Sequence, residues 1–266
     1  WEGAPGMGDD VVIVLRGLSH YKVKPHQVNV MWNISHPDIV SRAEYESYDH
    51  VFIASLSKAE KLSQELTTPV TALLQCSDPE RFHIDHGSHS FDGDAPRLLF
   101  VGNSRNEYRT MVRDCVAQNL PVDVYGSRWD QFLSSDHLKG THIPNEELSA
   151  YYSKAQAVLN DHWDDMREQG FISNRIFDAA ASGAYIITDP VQGLEALFGD
   201  SISVVRTPEE LVAAAALPET DPDRVAAMRQ EVHKRANTGH TFAARATEIM
   251  EIVQNKLCER GHVLHK

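Results

Sequence analysis

The 266-residue chain carries 38 acidic and 25 basic side chains, a formal net charge of -13, and 42% of its residues are hydrophobic. Enough apolar side chains are present to bury one large or two modest cores, which excludes disorder as the default. The acidic balance excludes a surface built to neutralise a phosphate backbone, so no nucleic-acid partner is expected; one bound phosphate needs only a cation or two and a helix N-terminus. Cys76, Cys115 and Cys258 make no CxxC pair and leave an odd thiol, which fits a reducing compartment, the cytoplasm. The apolar runs at 11–15 and 184–188 fall well short of the roughly 18 residues of a membrane helix, so no transmembrane segment is expected. The opening Trp1 and Glu2 are not a signal peptide, and without an initiator Met the chain is expected to start inside a longer polypeptide.

Short β-branched runs alternate with helical patterns along the whole chain, the signature of an α/β protein with mainly parallel sheets. In the first part, strands are predicted at 11–15, 28–32, 50–54 and 70–74, with a helix at 57–66. Four strands make half a domain rather than a complete doubly wound sheet. His20 and His36 each follow a strand and so would face a cleft. Residues 85–96, rich in His, Gly, Ser and Asp, read as a linker. A fuller unit follows, with strands at 97–101, 122–125, 140–143, 157–160, 185–188 and 201–205. Thr207-Pro208-Glu209-Glu210 is a capping box with Pro at the first helical position. Stretches 222–235 and 242–256 read as closing helices.

Open α/β sheets bind ligands at the C-terminal ends of their strands. There, Gly102-Asn103-Ser104-Arg105 follows a strand; glycine permits close backbone approach and a following helix would offer free N–H groups to a phosphate. Arg105 or Arg109 would add charge, although such a glycine is as often only a turn. Within 171–183, Ser173 suits an N-cap, the alanine run allows close packing, and Gly183 suits a left-handed stop. This segment is expected to form a helix whose N-terminus shares one anion site with the Gly102 loop. Arg175 and Asp178 are neighbours at i and i+3, either as a surface ion pair or as ligand contacts. The Asp161-His162-Trp163-Asp164-Asp165 loop has metal-binding residue types but no second ligand group at helical spacing. It reads as a solvated acidic loop, and no metal is expected.

Taken in order, these segments resemble the retaining-type GT-B glycosyltransferases and, among them, the CgeB-like (spore-maturation protein-like) branch. In the first part the likeness lies in Asp10-Val11-Val12-Ile13-Val14 with His20, in Val30-Met31-Trp32-Asn33-Ile34-Ser35-His36-Pro37-Asp38, and in the Asp78 to Phe82 stretch. In the second it lies in Leu98-Leu99-Phe100-Val101-Gly102, Ile143-Pro144-Asn145-Glu146-Glu147-Leu148, and Asp178-Ala179-Ala180-Ala181-Ser182-Gly183. The resemblance implies a GT-B-like α/β fold of two Rossmann-like parallel-sheet units, the first incomplete. Residues 1–86 would be the partial acceptor-side unit, 87–240 the donor-binding unit, and 241–266 a crossover helix and tail that packs back on the first unit. A nucleoside-diphosphate sugar would be held by Gly102, Asn103, Ser104, Arg105, Asn174, Arg175 and Asp178. Asp178, in place of the usual Glu, would accept from the ribose hydroxyls. Arg175 would face the diphosphate, and His36 would stand near the donor sugar on the opposite wall; these two are the candidate catalytic residues. The second Glu of retaining enzymes is replaced here by Gly170, with Glu168 two residues out of register, and the usual basic residue after the loop glycine is Asn103. The implied activity is metal-independent sugar transfer to a carbohydrate, lipid-linked or protein acceptor, with no cofactor besides the donor. The rival readings are a non-catalytic sugar-nucleotide or glycan-binding module and a sugar-nucleotide epimerase, which would require paired carboxylates and a His facing one donor.

Overall fold

The structure, a computed structural model, describes residues 8–85 and 95–261. In the first part, β1 (Val11–Arg16), β2 (Val28–Asn33), β3 (His50–Ile53) and β4 (Val70–Ala72) alternate with two helices, α1 (Arg42–Tyr45) and α2 (Leu56–Glu65). All four strands are parallel, in the order β1-β2-β3-β4. Every residue of β2 is buried, as a parallel strand covered on both faces requires. Helix α2 begins one residue before the predicted start because the Ser55 side chain accepts from the Lys58 N–H and caps it there.

The second part contains β5 (Leu98–Val101), α3 (Thr110–Ala117), β6 (Val122–Tyr125), β7 (Leu138–Gly140), α4 (Leu148–Lys154), β8 (Ala157–Asn160), α5 (Asp164–Glu168) and α6 (Asn174–Ala181). It continues with β9 (Ile186–Thr188), α7 (Leu194–Phe198), β10 (Ser203–Val204), α8 (Pro208–Thr220), α9 (Pro222–Gly239) and α10 (Phe242–Glu259). Its six strands are parallel in the order β10-β9-β8-β5-β6-β7. Alternation along the strands builds two cores. Leu99, Val158 and Ile186 pack with Ile176, Phe177 and Ala180 of α6 on one face, whereas Phe100, Leu159 and Ile187 pack with Val112 of α3 and Leu211 of α8 on the other. The connections leaving β5 and β8 therefore go to opposite faces, and the crevice that opens between these adjacent strands is the topological switch point of the sheet.

Three strands differ from expectation by two residues or more. The strand predicted at 140–143 lies at Leu138–Gly140, as an edge strand whose register against β6 shifts at Val124 and Tyr125. Strand β10 is cut to two residues because Gly199–Ser201 forms a 3-10 turn first. Strand β4 ends at Ala72, where Leu73 keeps only a backbone bond to Ile53 and its carbonyl accepts from Trp32 Nε1 at 2.8 Å. Of the predicted linker, residues 86–94 lie outside the described residues.

Helix α10 returns to the first sheet, as expected. Ile249, Val253 and Leu257 pack with Val28, Val30, Trp32 and Phe52, and Arg245 donates to the Leu74 carbonyl at 2.7 Å. The contact face is 249, 253 and 257 with Ile252 packed at its edge, so of the expected 242, 249 and 252 only Phe242 lies off it: Phe242 is exposed, and its N–H donates to the Ser77 carbonyl. Cys76 and Cys115 are buried and Cys258 is exposed, all three free. No helix among the described residues is long and apolar enough to cross a membrane.

Candidate functional site

The loop after β5 is tied down before it can meet a ligand. The Gly102 carbonyl accepts from Trp129 Nε1 at 2.7 Å, and Asn103 Oδ1 accepts from the Ser127 N–H at 2.9 Å. Ser104 is fully buried, and its hydroxyl donates to the Arg128 carbonyl and accepts from the Asn106 N–H. Asn103 and Ser104 thus shape the loop. Arg105 and Asn106 are both left-handed, and α3 begins only at Thr110. The expected helix start immediately after Gly102 is not formed, so the amides beside Gly102 belong to the loop.

Three guanidiniums converge here. A Cβ on Gly102 would lie 2.7 Å from Arg175 Nη2 and 3.1 Å from Arg109 Nη1, so only glycine lets both heads approach this backbone. Arg109 and Arg175 also share the Phe100 ring, 4.6 and 5.3 Å from its centroid, while Arg105 stacks on Trp163 at 3.6 Å. Burial and the Arg175 charge lower the Arg105 pKa to about 10; burial, Arg175 and Arg105 lower that of Arg109 to about 8. Arginine keeps its proton in proteins, so these directions express the cost of burying cations and crowding them together, which a bound anion would relieve.

Helix α6 starts at Asn174 and brings its N-terminal residues to the same place, as the 171–183 expectation required. Arg175 does not pair with Asp178. Its Nη1 donates to Asn160 Oδ1 at 2.8 Å, and Asp178 instead accepts from Ser77 Oγ and from Asn174 Nδ2, each at 2.8 Å. The surface ion pair is thereby replaced by a contact across the two units. Burial pushes the Asp178 pKa up to about 7, against the hydrogen bonds from Ser77 and Asn174. A carboxyl whose folded pKa is raised gives stability that is present below its unfolded value near 4 and is lost as pH rises through 7. We predict that the melting temperature falls between about pH 4 and 7 and that Asp178→Asn removes much of the fall, up to about 4 kcal/mol over that range. Equal slopes in both proteins would contradict this.

The loop read as solvated and acidic is solvated only in part: Asp164 is exposed, but the loop's first two residues are not. Asp161 and His162 are buried. Asp161 pairs with Arg109, and His162 Nδ1 lies 2.6 Å from Asp189 Oδ1, while its Nε2 accepts from the Ser173 N–H at 3.0 Å. Three consecutive residues at the end of β8 therefore hold the cation site: Asn160 orients Arg175, Asp161 orients Arg109, and His162 meets the start of α6. Their position at the end of a predicted strand was the available signal; the acidic composition concealed it.

His36 is left-handed, and its ring lies 5.4 Å from Trp163, with Nδ1 3.8 Å from Asp165 Oδ2. It reaches the Arg105 cluster through Trp163. His20 is exposed. Gly170 has a φ of +71°, and a Cβ there would lie 2.9 Å from Ser57 Oγ, so the position of the second Glu is closed to a side chain by the first unit. Glu168 is exposed.

Two open parallel sheets, a crossover helix and a crevice at the β5–β8 switch point define the GT-B class. The chain matches the profile of the glycosyl transferase-like family over residues 105–251, and it belongs to that family. No curated protein sequence matches it. Among solved structures it is similar to sucrose-phosphate synthase from Thermosynechococcus elongatus, with TM-score 0.67 at 13% identity over 88% of this chain and 69% of that one. It is also similar to Anabaena HepE in complex with UDP and glucose, with TM-score 0.65 at 12% identity over 86% of this chain and 72% of that one. Pneumococcal O-GlcNAc transferase GtfA, in complex with UDP and GlcNAc, gives TM-score 0.57 at 16% identity, over 87% of this chain but only 53% of its own length.

Proposed function

We propose that this chain binds a nucleoside-diphosphate sugar at the β5–β8 crevice and transfers the sugar to a carbohydrate, lipid-linked or protein acceptor. The observation that carries the reading is the convergence of Arg109 and Arg175 on Gly102, with the Arg105 charge close enough to repel both, beside a carboxylate on the same helix as Arg175. The guanidiniums would hold the diphosphate and stabilise the charge that develops on it as the glycosidic bond breaks, the part a metal ion plays elsewhere. Asp178, bridged to Ser77 and Asn174, would accept from the ribose hydroxyls. His36 would face the sugar from the first unit. UDP is the first nucleotide to test, since both HepE and GtfA carry it in their solved complexes. Arg175 on the alanine-rich helix supports placement in the CgeB-like branch, and three free thiols fit a cytoplasmic location.

Residues 87–240 would then be the donor unit and 1–86 the acceptor-side unit, clasped by 241–266. Incubation with UDP-glucose or UDP-GlcNAc and candidate acceptors tests the reading: UDP released only when acceptor is present marks a transferase. The closed Gly170 position favours a second reading, a module that binds sugar nucleotides without transfer; donor binding without release under any acceptor would establish it.

A further inference from the structure

We propose that His162 and Asp189 are positioning residues of this site, setting the first turn of α6 and with it the Arg175 guanidinium; the proposal rests on the reading of the crevice as a diphosphate site. A closed ring of hydrogen bonds carries it. The Ser173 N–H donates to His162 Nε2 at 3.0 Å, which makes Nδ1 the protonated nitrogen, and Nδ1–H donates to Asp189 Oδ1 at 2.6 Å. Thr188 Oγ1 donates to the same Asp189 oxygen at 3.2 Å and accepts from Asn160 Nδ2 at 2.9 Å. Asn160 Oδ1 accepts from Arg175 Nη1 at 2.8 Å, which closes the ring two residues from where it began.

Each link is placed by the fold. Asn160 and His162 come from the end of β8, Thr188 and Asp189 from the end of β9, and Ser173 and Arg175 from the start of α6. The His162 side chain is fully buried. A second bond, from the His162 N–H to Asp189 Oδ2 at 3.2 Å, fixes the carboxylate from its other side. The Ser173 N–H is one of the donors that a helix start leaves without an internal partner, and no side chain of its own turn caps it. An imidazole with a defined tautomer spans the gap between that amide and Asp189 as one rigid plate. The ring joins the helix start to the cation it presents, so a shift of either moves both relative to Gly102.

Two substitutions separate the links. Glutamine at 162 carries an amide oxygen out to the region of Nε2 and keeps an acceptor for Ser173. Asparagine reaches only the region of Nδ1, keeping a donor for Asp189 and leaving the Ser173 N–H without its acceptor. Calorimetric titration with UDP and with uridine should show His162→Asn losing about tenfold or more in UDP affinity and less than about threefold for uridine, and His162→Gln, which loses only the Asp189 link, falling between His162→Asn and wild type for UDP and within about threefold of wild type for uridine. A merely structural role would lower the melting temperature of both variants and move UDP and uridine together, and that result overturns the proposal, as does unchanged UDP affinity in His162→Asn. If the wild type binds no UDP, the diphosphate reading falls separately. Amide exchange at Ser173 then decides the positioning role: about tenfold faster exchange in His162→Asn alone supports it, and equal exchange in both variants ends it.

Discussion

Gly126→Ala should be among the most damaging single substitutions in the second unit, destabilising it by about 3 kcal/mol or more and displacing the Gly102 loop. Gly126 has a φ of +157°, and a Cβ there would stand 2.1 Å from the Gly102 carbonyl oxygen and 2.5 Å from its carbon. Both neighbours are backbone, so neither can swing aside. The Gly102 carbonyl is also held by Trp129 Nε1, and the Gly126 N–H donates to the Gly140 carbonyl at 2.9 Å, so relief at one point breaks a bond at another. Thermal or urea unfolding of the variant measures the loss, and a change below about 0.5 kcal/mol would contradict the described packing of the two glycines.

Arg175→Ala should weaken UDP binding by about 1.5–3 kcal/mol while changing uridine affinity by less than about twofold, because the contact proposed for it is with phosphate charge. Its stability cost should be small, since the side chain is half-buried and its partner Asn160 retains the bond to Thr188. Arg175→Lys should recover only part of the affinity, because an ammonium cannot hold Asn160 and a diphosphate in one planar fork. Equal losses for UDP and uridine would place Arg175 elsewhere than against the phosphates.

The alternation of β-branched runs and helical spacing made nearly every strand legible, because parallel strands covered on both faces are apolar along their whole length. The edge strands of the second sheet were misplaced: β7 and β10 pair on one side only, and their ends are set by turns whose geometry their composition does not announce. At the site, Gly102 and Arg175 stood out because glycine after a strand and a basic residue at a helix start each have a local reason to be there. Asn160, Asp161, His162 and Asp189 did not, since each acts through a partner supplied by another loop. Their acidic neighbours made the stretch read as solvated, whereas burial of Asp161 is made possible by Arg109, which lies 52 residues earlier. Ser77 was likewise hidden, as its contact with Asp178 joins positions 101 residues apart.

The central claim is that the crevice between β5 and β8 holds a nucleoside diphosphate with Asp178 on its ribose. Calorimetric titration of UDP into the wild type and Asp178→Asn tests it most directly. The account predicts one site per chain, with binding about 1.5–3 kcal/mol weaker in the variant. A wild type that binds neither UDP nor any other nucleoside diphosphate, or a variant of unchanged affinity, would contradict it.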